Sequence, residues 1–492
     1  MKTRGGRHGV RVAAIGAGLA ALVAGVNVEA ATGPVCDPAI PDLSGCCYKK
    51  PNPVFVAGTS AAKSALQAIA AQLTDVSIIY QTPDSCIALG AVIAGQAATG
   101  MNVVTTYLAP DGTTPACALS TGAATNPDEA INIAVSDIFP STCQSVLGMG
   151  GLTAGQQIDV LGPIQGQTID VPSASVATSI SAEATYAVFG YDADMPSHSV
   201  PPWNVPASIF IRPSTSGTLN LIGTVIGLAG AKWANATNAM SPQVETSSAN
   251  MYTAISTPAT NVDATIGILS AQFVLQQNAK ALAVGGTGKT IKTLAFQSTG
   301  QSCGYFPDAT PNTGDKLNVR QGRYAIWGPS HLVTNIGADG NPKGPHAGAV
   351  AEVLNAFIAT GCEGSTCPPG TGNLLSVGTS GADAGMSSAD GGADGGASDS
   401  GVAAPSAALK KAVIDAESAP IGGVVPWCAM QVSRGNVEAG PESSYQPSES
   451  CGCYFEKVAT GATISPYCKA CPIGNECVAP YSVCRYGYCE AK

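Results

Sequence analysis

"ASIFIRPSTSGTLNLIGTVIG", residues 207–227, decides how this chain folds. The β-rich run "ASIFIRP" (207–213) reads as a strand, and the apolar run that begins at Leu219 reads as a helix. Only Ser214 to Thr218 separate them. A strand that passes straight into a helix aims the helix's first unpaired N–H groups, and the positive end of its dipole, just beyond the strand end. That junction suits an anion.

The junction recurs along the chain. "VFVAG" (54–58) gives way to "TSAAKSALQAIAAQL", in which Ala62, Leu66, Ile69, Ala70 and Leu73 share one helical face. "SIIYQ" (77–81) leads through Pro83 into the helical "SCIALGAVIA" (85–94). A strand "INIAVSD" (131–137), helices "SAEATYAVFG" (181–190) and "LNLIGTVIGLAGAKWA" (219–234), and a last helix "AGAVAEVLNAFIAT" (347–360) follow. Short strands alternating with longer helical runs predict an α/β architecture.

The first thirty residues predict export. Lys2, Arg4, Arg7 and Arg11 precede or open a fifteen-residue apolar run, Val12 to Val26, and the small-residue stretch Val28-Glu29-Ala30-Ala31 follows. That order reads as a cleavable secretory signal, residues 1–30. The run is too short to span a bilayer, and no later stretch reaches eighteen uninterrupted apolar residues, so the chain is not expected to be membrane-spanning. Cys36 follows Gly-Pro-Val and no lipobox. The localisation expected is periplasmic or extracellular. Removing the signal takes four basic residues and one acid, so the net charge moves from −10 to −13. With only 11% charged residues, the mature surface has no basic patch for nucleic acid.

The seventeen cysteines divide into nine between Cys36 and Cys367 and eight between Cys428 and Cys489. Eight in so short an exported stretch read as a disulfide scaffold whose pairing the sequence does not choose. Cys451, Cys453, Cys468 and Cys471 have zinc-like spacing, but the tail has no His and the compartment is oxidising, so no metal is expected. The odd count in the front part leaves one thiol free or paired to another molecule; Cys362 and Cys367 are close enough in sequence to bridge. Between the two sets, "SGADAGMSSADGGADGGASDSGVAAPSA" (380–407) cannot bury a core. The predicted organisation is a signal (1–30), a large module (31–370), a flexible linker (371–424) and a Cys-rich C-terminal domain (425–492).

At this point the order of elements resembles a family: the phosphate-type solute-binding proteins of ABC importers, with the two-lobed type II periplasmic binding fold, from Pro53 to Thr360. "RPSTSGT" (212–218) has the family's R-x-x-x-S-G-T spacing, and "AVSD", ending in Asp137, looks like its strand-terminal Ser-Asp. "GTSAAKSAL" and "YQTPDSCIALGAV" are placed like its first two strand-to-helix loops. "YAVFG" followed by "PWNVPASIFIR" is similar to a further family segment, and "GRYAIWGPSHLVT" to a late strand in which Ala325 replaces a proline. The first loop lacks the family's Gly-Ala-Thr-Phe-Pro, and an insertion carrying Cys117 precedes the Asp137 strand.

The resemblance implies a cleft in which Thr59, Ser60 and Ser85 donate from one lobe, and Arg212, Ser216, Gly217 and Thr218 from the other. Asp137 would face the ligand. A carboxylate repels an anion unless the ligand brings a proton for it to accept, so this residue would favour hydrogen phosphate over sulfate. The expected function is capture of phosphate or a related oxyanion for ABC-type uptake, with a permease as partner, no cofactor and no catalysis.

Three other functions compete. "ALAVGGTGKT" (281–290) fits a loose P-loop with Lys289 and Thr290, but an exported chain meets little nucleotide, and a Gly-rich turn between strands at Leu282–Val284 and Ile291–Phe296 is expected instead. Ser60-Ala-Ala-Lys63, Ser136-Asp137 and Lys289-Thr290 follow the order of serine acyl-enzyme hydrolases, yet Ile138 and Ile291 replace the Asn and Gly that such enzymes need. His198, His331 and His346 lie beside Pro, Gly or Ser and are expected in loops. The linker and tail, which an importer component does not need, fit a surface or matrix protein that keeps the binding fold without transport. The tail would then attach to a surface partner or stabilise the C-terminus.

Overall fold

The computed structural model describes residues 45–358, except 72, 74, 99–103, 121–128, 149, 191–199, 234–242, 259–260 and 312. It also describes 424–447, except 436, and short pieces at 471, 477–478, 483–485 and 488–490. The predicted signal, nearly all of the predicted linker, the Cys362–Cys367 pair and His198 lie outside the described residues.

In chain order the elements begin with β1 (Pro53–Gly58), α1 (Lys63–Ala70), β2 (Ser77–Gln81), α2 (Ser85–Ala94), β3 (Val104–Leu108), β4 (Ala116–Ala118), β5 (Ile133–Ser136) and α3 (Pro140–Leu147). Then come β6 (Gln157–Pro172), β7 (Ser179–Ser181), α4 (Ala182–Phe189), β8 (Phe210–Ile211), α5 (Gly217–Ile226), β9 (Gln243–Val244), α6 (Ser248–Ser256), β10 (Gly267–Ser270) and α7 (Ala271–Leu282). Next are β11 (Ile291–Thr293), β12 (Ala295–Gln297), α8 (Leu317–Arg320), β13 (Trp327–Asn335) and α9 (Ala347–Ile358). The C-terminal pieces add β14 (Val432–Arg434), β15 (Glu442–Ser444), β16 (Val483–Arg485) and β17 (Tyr488–Glu490).

The fold is α/β with two lobes, and one strand makes them two. The main sheet runs β10-β6-β13-β5-β1-β2-β3-β4, with β11 also on β6. From Gln157 to Gly166, β6 pairs with β13; from Gln167 to Pro172 it pairs with β10 and β11. The first lobe is therefore built around β1 to β5 and β13, and the second around β10 and β11. Gly162, Pro163 and Gly166 sit inside this sixteen-residue strand, and such residues ordinarily punctuate strands. Pro163 and Pro329 cannot donate to a ladder. Ile164 makes both its backbone hydrogen bonds with Val425, each 2.8 Å long.

Strands β1, β2 and β5 are parallel and buried along their length, as expected where helices cover both faces of a sheet. Alternation sorts their side chains. Val54 and Val56 pack with Leu66 and Ile69 of α1 and with Val353, Leu354 and Phe357 of α9. Phe55 and Ala57 point to the other face, where Leu89 and Val92 of α2 join them. The Cys86–Cys143 disulfide ties α2 to α3, and Cys47–Cys117 ties the chain entry to β4.

Several details depart from expectation. Leu282 ends α7 and does not open a strand. The Gly-rich loop therefore follows a helix and precedes β11, the reverse of a P-loop's strand-to-helix order. Gly285 and Gly288 do take positive φ there, 80° and 67°. The strand expected over 207–213 is reduced to Phe210–Ile211, because Pro206–Ser208 form a 3₁₀ turn. His331 is a fully buried residue of β13 and not a loop residue. Cys303 carries a free, exposed thiol.

Residues 424–447 share the module's core. Trp427 is buried in the main apolar cluster and its Nε1–H donates to Gly162 O at 3.0 Å. The Arg434 guanidinium lies 4.2 Å over the Trp327 ring and donates to the Trp327 and Ala325 carbonyls, both at 2.8 Å. Glu438 accepts from the Phe139 N–H and the Thr142 hydroxyl. Beyond this stretch, Cys471–Cys484 and Cys477–Cys489 are bridged.

Candidate functional site

Four strand ends converge on one cavity of about 40 Å³. It is lined by Gly58, Thr59, Ser60, Thr82, Asp84, Ser85, Asp137, Arg212, Ser216, Gly217, Thr218, Ser247 and Ser248. All eight residues expected to bind ligand are among them. A single water occupies roughly 10–15 Å³ on this measure. The space in this conformation suits an ion of a few heavy atoms.

In the first lobe, β1 ends at Gly58, where a Cβ would lie 2.0 Å from Val135 O, so only glycine lets the two strands meet. Thr59 caps the following 3₁₀ turn, accepting from the Ala61 N–H at 3.3 Å. Its own proton goes to Asp137 Oδ2 at 2.8 Å, and its carbonyl accepts from the Tyr80 hydroxyl. Thr59 therefore positions Asp137. Ser85 opens α2; its Oγ accepts from the Asp137 N–H at 3.2 Å, which leaves the Ser85 proton free to donate. Ser60 Oγ lies 2.8 Å from Ser248 Oγ of the second lobe, so one hydroxyl proton of that pair is also free.

In the second lobe, Arg212 leaves the end of β8 and Gly217 begins α5. Asn220 fastens the connecting loop, donating from Nδ2 to Ser214 O at 2.6 Å and Ser216 O at 2.8 Å. The Ser216 side chain caps nothing, and the first intrahelical bond comes from the Asn220 N–H. The Gly217 and Thr218 N–H groups are thus left to whatever occupies the cavity. The Thr218 hydroxyl, expected to donate to ligand, gives its proton to Gln167 Oε1 at 3.0 Å, so only its backbone N–H remains for that role.

Asp84 was missed. It immediately precedes Ser85 and looks like an ordinary helix cap, yet its φ is 117° and it makes no side-chain cap bond. Arg212 Nη2–H donates to Asp84 Oδ1 at 2.8 Å, and Thr215 Oγ1–H donates to Oδ2 at 3.2 Å, so both oxygens are engaged across the cleft. Arg212 Nη1–H donates to Glu245 O at 3.0 Å. Ser247 and Ser248 also line the cavity; the strand before them, β9, is only two exposed residues long and leaves no apolar pattern to signal a junction.

Burial sets the electrostatics. Asp137 is pushed up to about 6 by desolvation, opposed by the Thr59 hydrogen bond, raised further by Asp84 and lowered by Arg212 and His331. Asp84 is raised by burial against the pull of Arg212 and Thr215, and burial likewise lowers Arg212 against Asp84. Asp137 Oδ1 is buried with no hydrogen-bond partner.

The components of the serine-hydrolase pattern do not assemble. Lys289 and Thr290 do not line the cavity, and Lys63 sits on α1 with Lys280 as its charged neighbour. Among the described residues, Cys471, Cys477 and Cys489 lie close enough to hold a metal ion, but all three are in disulfides and offer no thiolate.

No family model and no curated protein matches the chain. Solved structures give distant likenesses. A putative phosphate ABC transporter substrate-binding protein with bound phosphate from Clostridium perfringens is 11% identical, with 62% of this chain and 93% of that one covered at a TM-score of 0.39. An ABC-type phosphate transport receptor from Vibrio cholerae is 14% identical, with 61% and 93% covered at 0.35. A phosphate-binding protein from Stenotrophomonas maltophilia is 14% identical, with 65% and 86% covered at 0.37. Among the described residues no helix is long and apolar enough to cross a membrane.

Proposed function

We propose that this chain is an exported binding protein that captures hydrogen phosphate, or a related oxyanion carrying a proton, between its lobes. One observation carries this: the cavity offers many free donors and one free buried acceptor. The donors are the Ser85 and Ser216 hydroxyls, one proton of the Ser60/Ser248 pair, the Gly217 and Thr218 N–H groups and the uncommitted N–H groups of Arg212. The acceptor is Asp137 Oδ1. Such a set matches a tetrahedral anion with several bare oxygens and one O–H.

The charge balance points the same way. Asp84 and Asp137 together outweigh Arg212 by one unit once Asp137 is ionised. An anion without a proton for Asp137 meets lone pairs with no donor between them, a contact that costs several kcal/mol in a closed site. Isothermal calorimetry on ligand-free protein should show phosphate bound and sulfate bound at least about tenfold more weakly, with Asp137→Asn narrowing the gap. Equal affinities in the wild type would remove Asp137 from the ligand's reach.

Delivery to an ABC permease is the use we infer for the captured anion. Permease and ATPase genes beside this one would support import.

A further inference from the structure

A second cavity of about 10 Å³ shares Asp137 with the cleft and is bordered also by His331, Phe139, Arg434 and Glu438. It has room for about one water. His331 is fully buried in β13, beside Ser136 of β5 in the register. Its Nδ1 lies 2.9 Å from Asp159 Oδ2 of β6, and its ring packs edge-on to Phe139 at 4.2 Å. With Nδ1–H donated to Asp159, the other nitrogen, Nε2, is left buried without a partner. The other charged groups on this cavity are committed: Glu438 to the Phe139 N–H and the Thr142 hydroxyl, and Arg434, through both terminal nitrogens, to two carbonyls and Glu442.

We infer that His331, oriented by Asp159, is the positioning residue that sets the charge of Asp137 from the adjoining cavity, and so fixes the pH range in which the site accepts a proton-bearing oxyanion. This rests on Asp137 being the proton acceptor proposed above. The groups that face Asp137 are the Thr59 hydroxyl, the Tyr80 phenol, Asp84, Arg212 and His331. Tyr80 is raised by burial and by Asp137 itself, and stays neutral. Asp84 and Arg212 are tied to each other. His331 is then the one polar side chain bordering both Asp137 and the second cavity that still has an unpartnered ring nitrogen. An imidazole set between two carboxylates, hydrogen-bonded to Asp159 and lowering Asp137, favours the form of Asp137 that accepts a hydrogen bond.

The test compares wild type with His331→Gln, which removes the imidazole, and Asp159→Asn, which keeps the ring but removes its orienting carboxylate. Carbon-13 NMR of the ligand-free protein reads the Asp137 carboxyl, and calorimetry reads inorganic phosphate binding at pH 6 and pH 8. The Asp137 midpoint should rise by about one unit or more in His331→Gln and in the same direction in Asp159→Asn. Relative to wild type, phosphate affinity should fall about threefold or more at pH 6 and stay within about twofold at pH 8. Taking the ratio to wild type cancels the ligand's own protonation. An unmoved midpoint in both variants, or an equal loss at both pH values, overturns the assignment. If the midpoint moves while wild type binds no phosphate, His331 keeps its role and the oxyanion site fails instead.

Discussion

Gly217→Ala separates closure of the cleft from stability of the fold. Gly217 is the first residue of α5, and a Cβ built on it would lie 2.5 Å from Ser85 Oγ and 2.8 Å from Asp137 Cβ, both in the opposite lobe. Carbon contacts settle near 3.5–4.0 Å, so the lobes must part by about 1 Å. Ser85 Oγ could turn away, at the expense of its bond from the Asp137 N–H, but Asp137 Cβ cannot. Parting by that much stretches the cross-lobe Arg212–Asp84 and Ser60–Ser248 bonds, both 2.8 Å, past useful length. A ligand clasped from both sides loses contacts of the same kind. Charge-assisted bonds contribute about 1.5–3 kcal/mol each, so losing two weakens phosphate binding by about 10² to 10⁴. The helix itself gains, since alanine is favoured over glycine by up to about 1 kcal/mol. Calorimetry should show the affinity loss, and circular dichroism should show the ligand-free chain still folded, the gain in the helix offsetting part of what the loosened Arg212–Asp84 pair costs. Phosphate binding within about threefold of wild type would mean that the lobes do not close onto this cavity.

Three further outcomes follow from neighbouring features. Asp84→Asn removes the carboxylate that competes for Arg212 and should tighten binding of both phosphate and sulfate by about tenfold, measured by calorimetry; unchanged affinities would place Arg212 off the ligand. Arg212→Ala should cost stability as well as binding, about 3–5 kcal/mol in chemical denaturation, because Asp84 is left buried and unpaired, and Asp84→Asn should rescue most of that loss. Asp170 is pushed up to about 7 by burial, against hydrogen bonds from Thr293 and Thr168. The folded state therefore binds this proton more tightly than the unfolded chain, so ligand-free stability should fall as pH rises from about 4 to 7, and Asp170→Asn should flatten the slope measured by thermal melts.

The sequence revealed the first lobe more fully than the second. "SIIYQ" and "SCIALGAVIA" are strand and helix to the residue, because each is a continuous apolar run bounded by polar or turn residues. The junction at Arg212–Thr218 was legible because its glycine and hydroxyls sit between two clear patterns. Strand β6 was not, since Gly162, Pro163 and Gly166 break its pattern and its partners lie far away in sequence. Nothing in the sequence pairs Asp84 with Arg212, 128 residues away, and His331 had no periodic signal to mark it as buried. The Cys spacing beyond residue 425 suggested a separate module, and this hid Trp427 and Arg434, which fasten residues 424–447 to the first.

That fastening changes what the long stretch between Ile358 and Val424 connects. A protease cut anywhere in it would not free the C-terminal fragment, because Val425 is hydrogen-bonded to Ile164, Trp427 is embedded beside Gly162, and Glu438 is bonded at the start of α3. The nicked molecule would run as one particle on a sizing column and as two bands on a denaturing gel. Conversely, a chain ended by a stop codon before Val424 would leave Ile164 without its backbone partner and uncover apolar surface where Trp427 packs. Burying a tryptophan is typically worth about 3–5 kcal/mol, so the shortened chain would unfold more readily and be degraded faster. Residues 424–447 are thus a second fragment of one fold, supplied late in synthesis, and the module stays incomplete until they emerge.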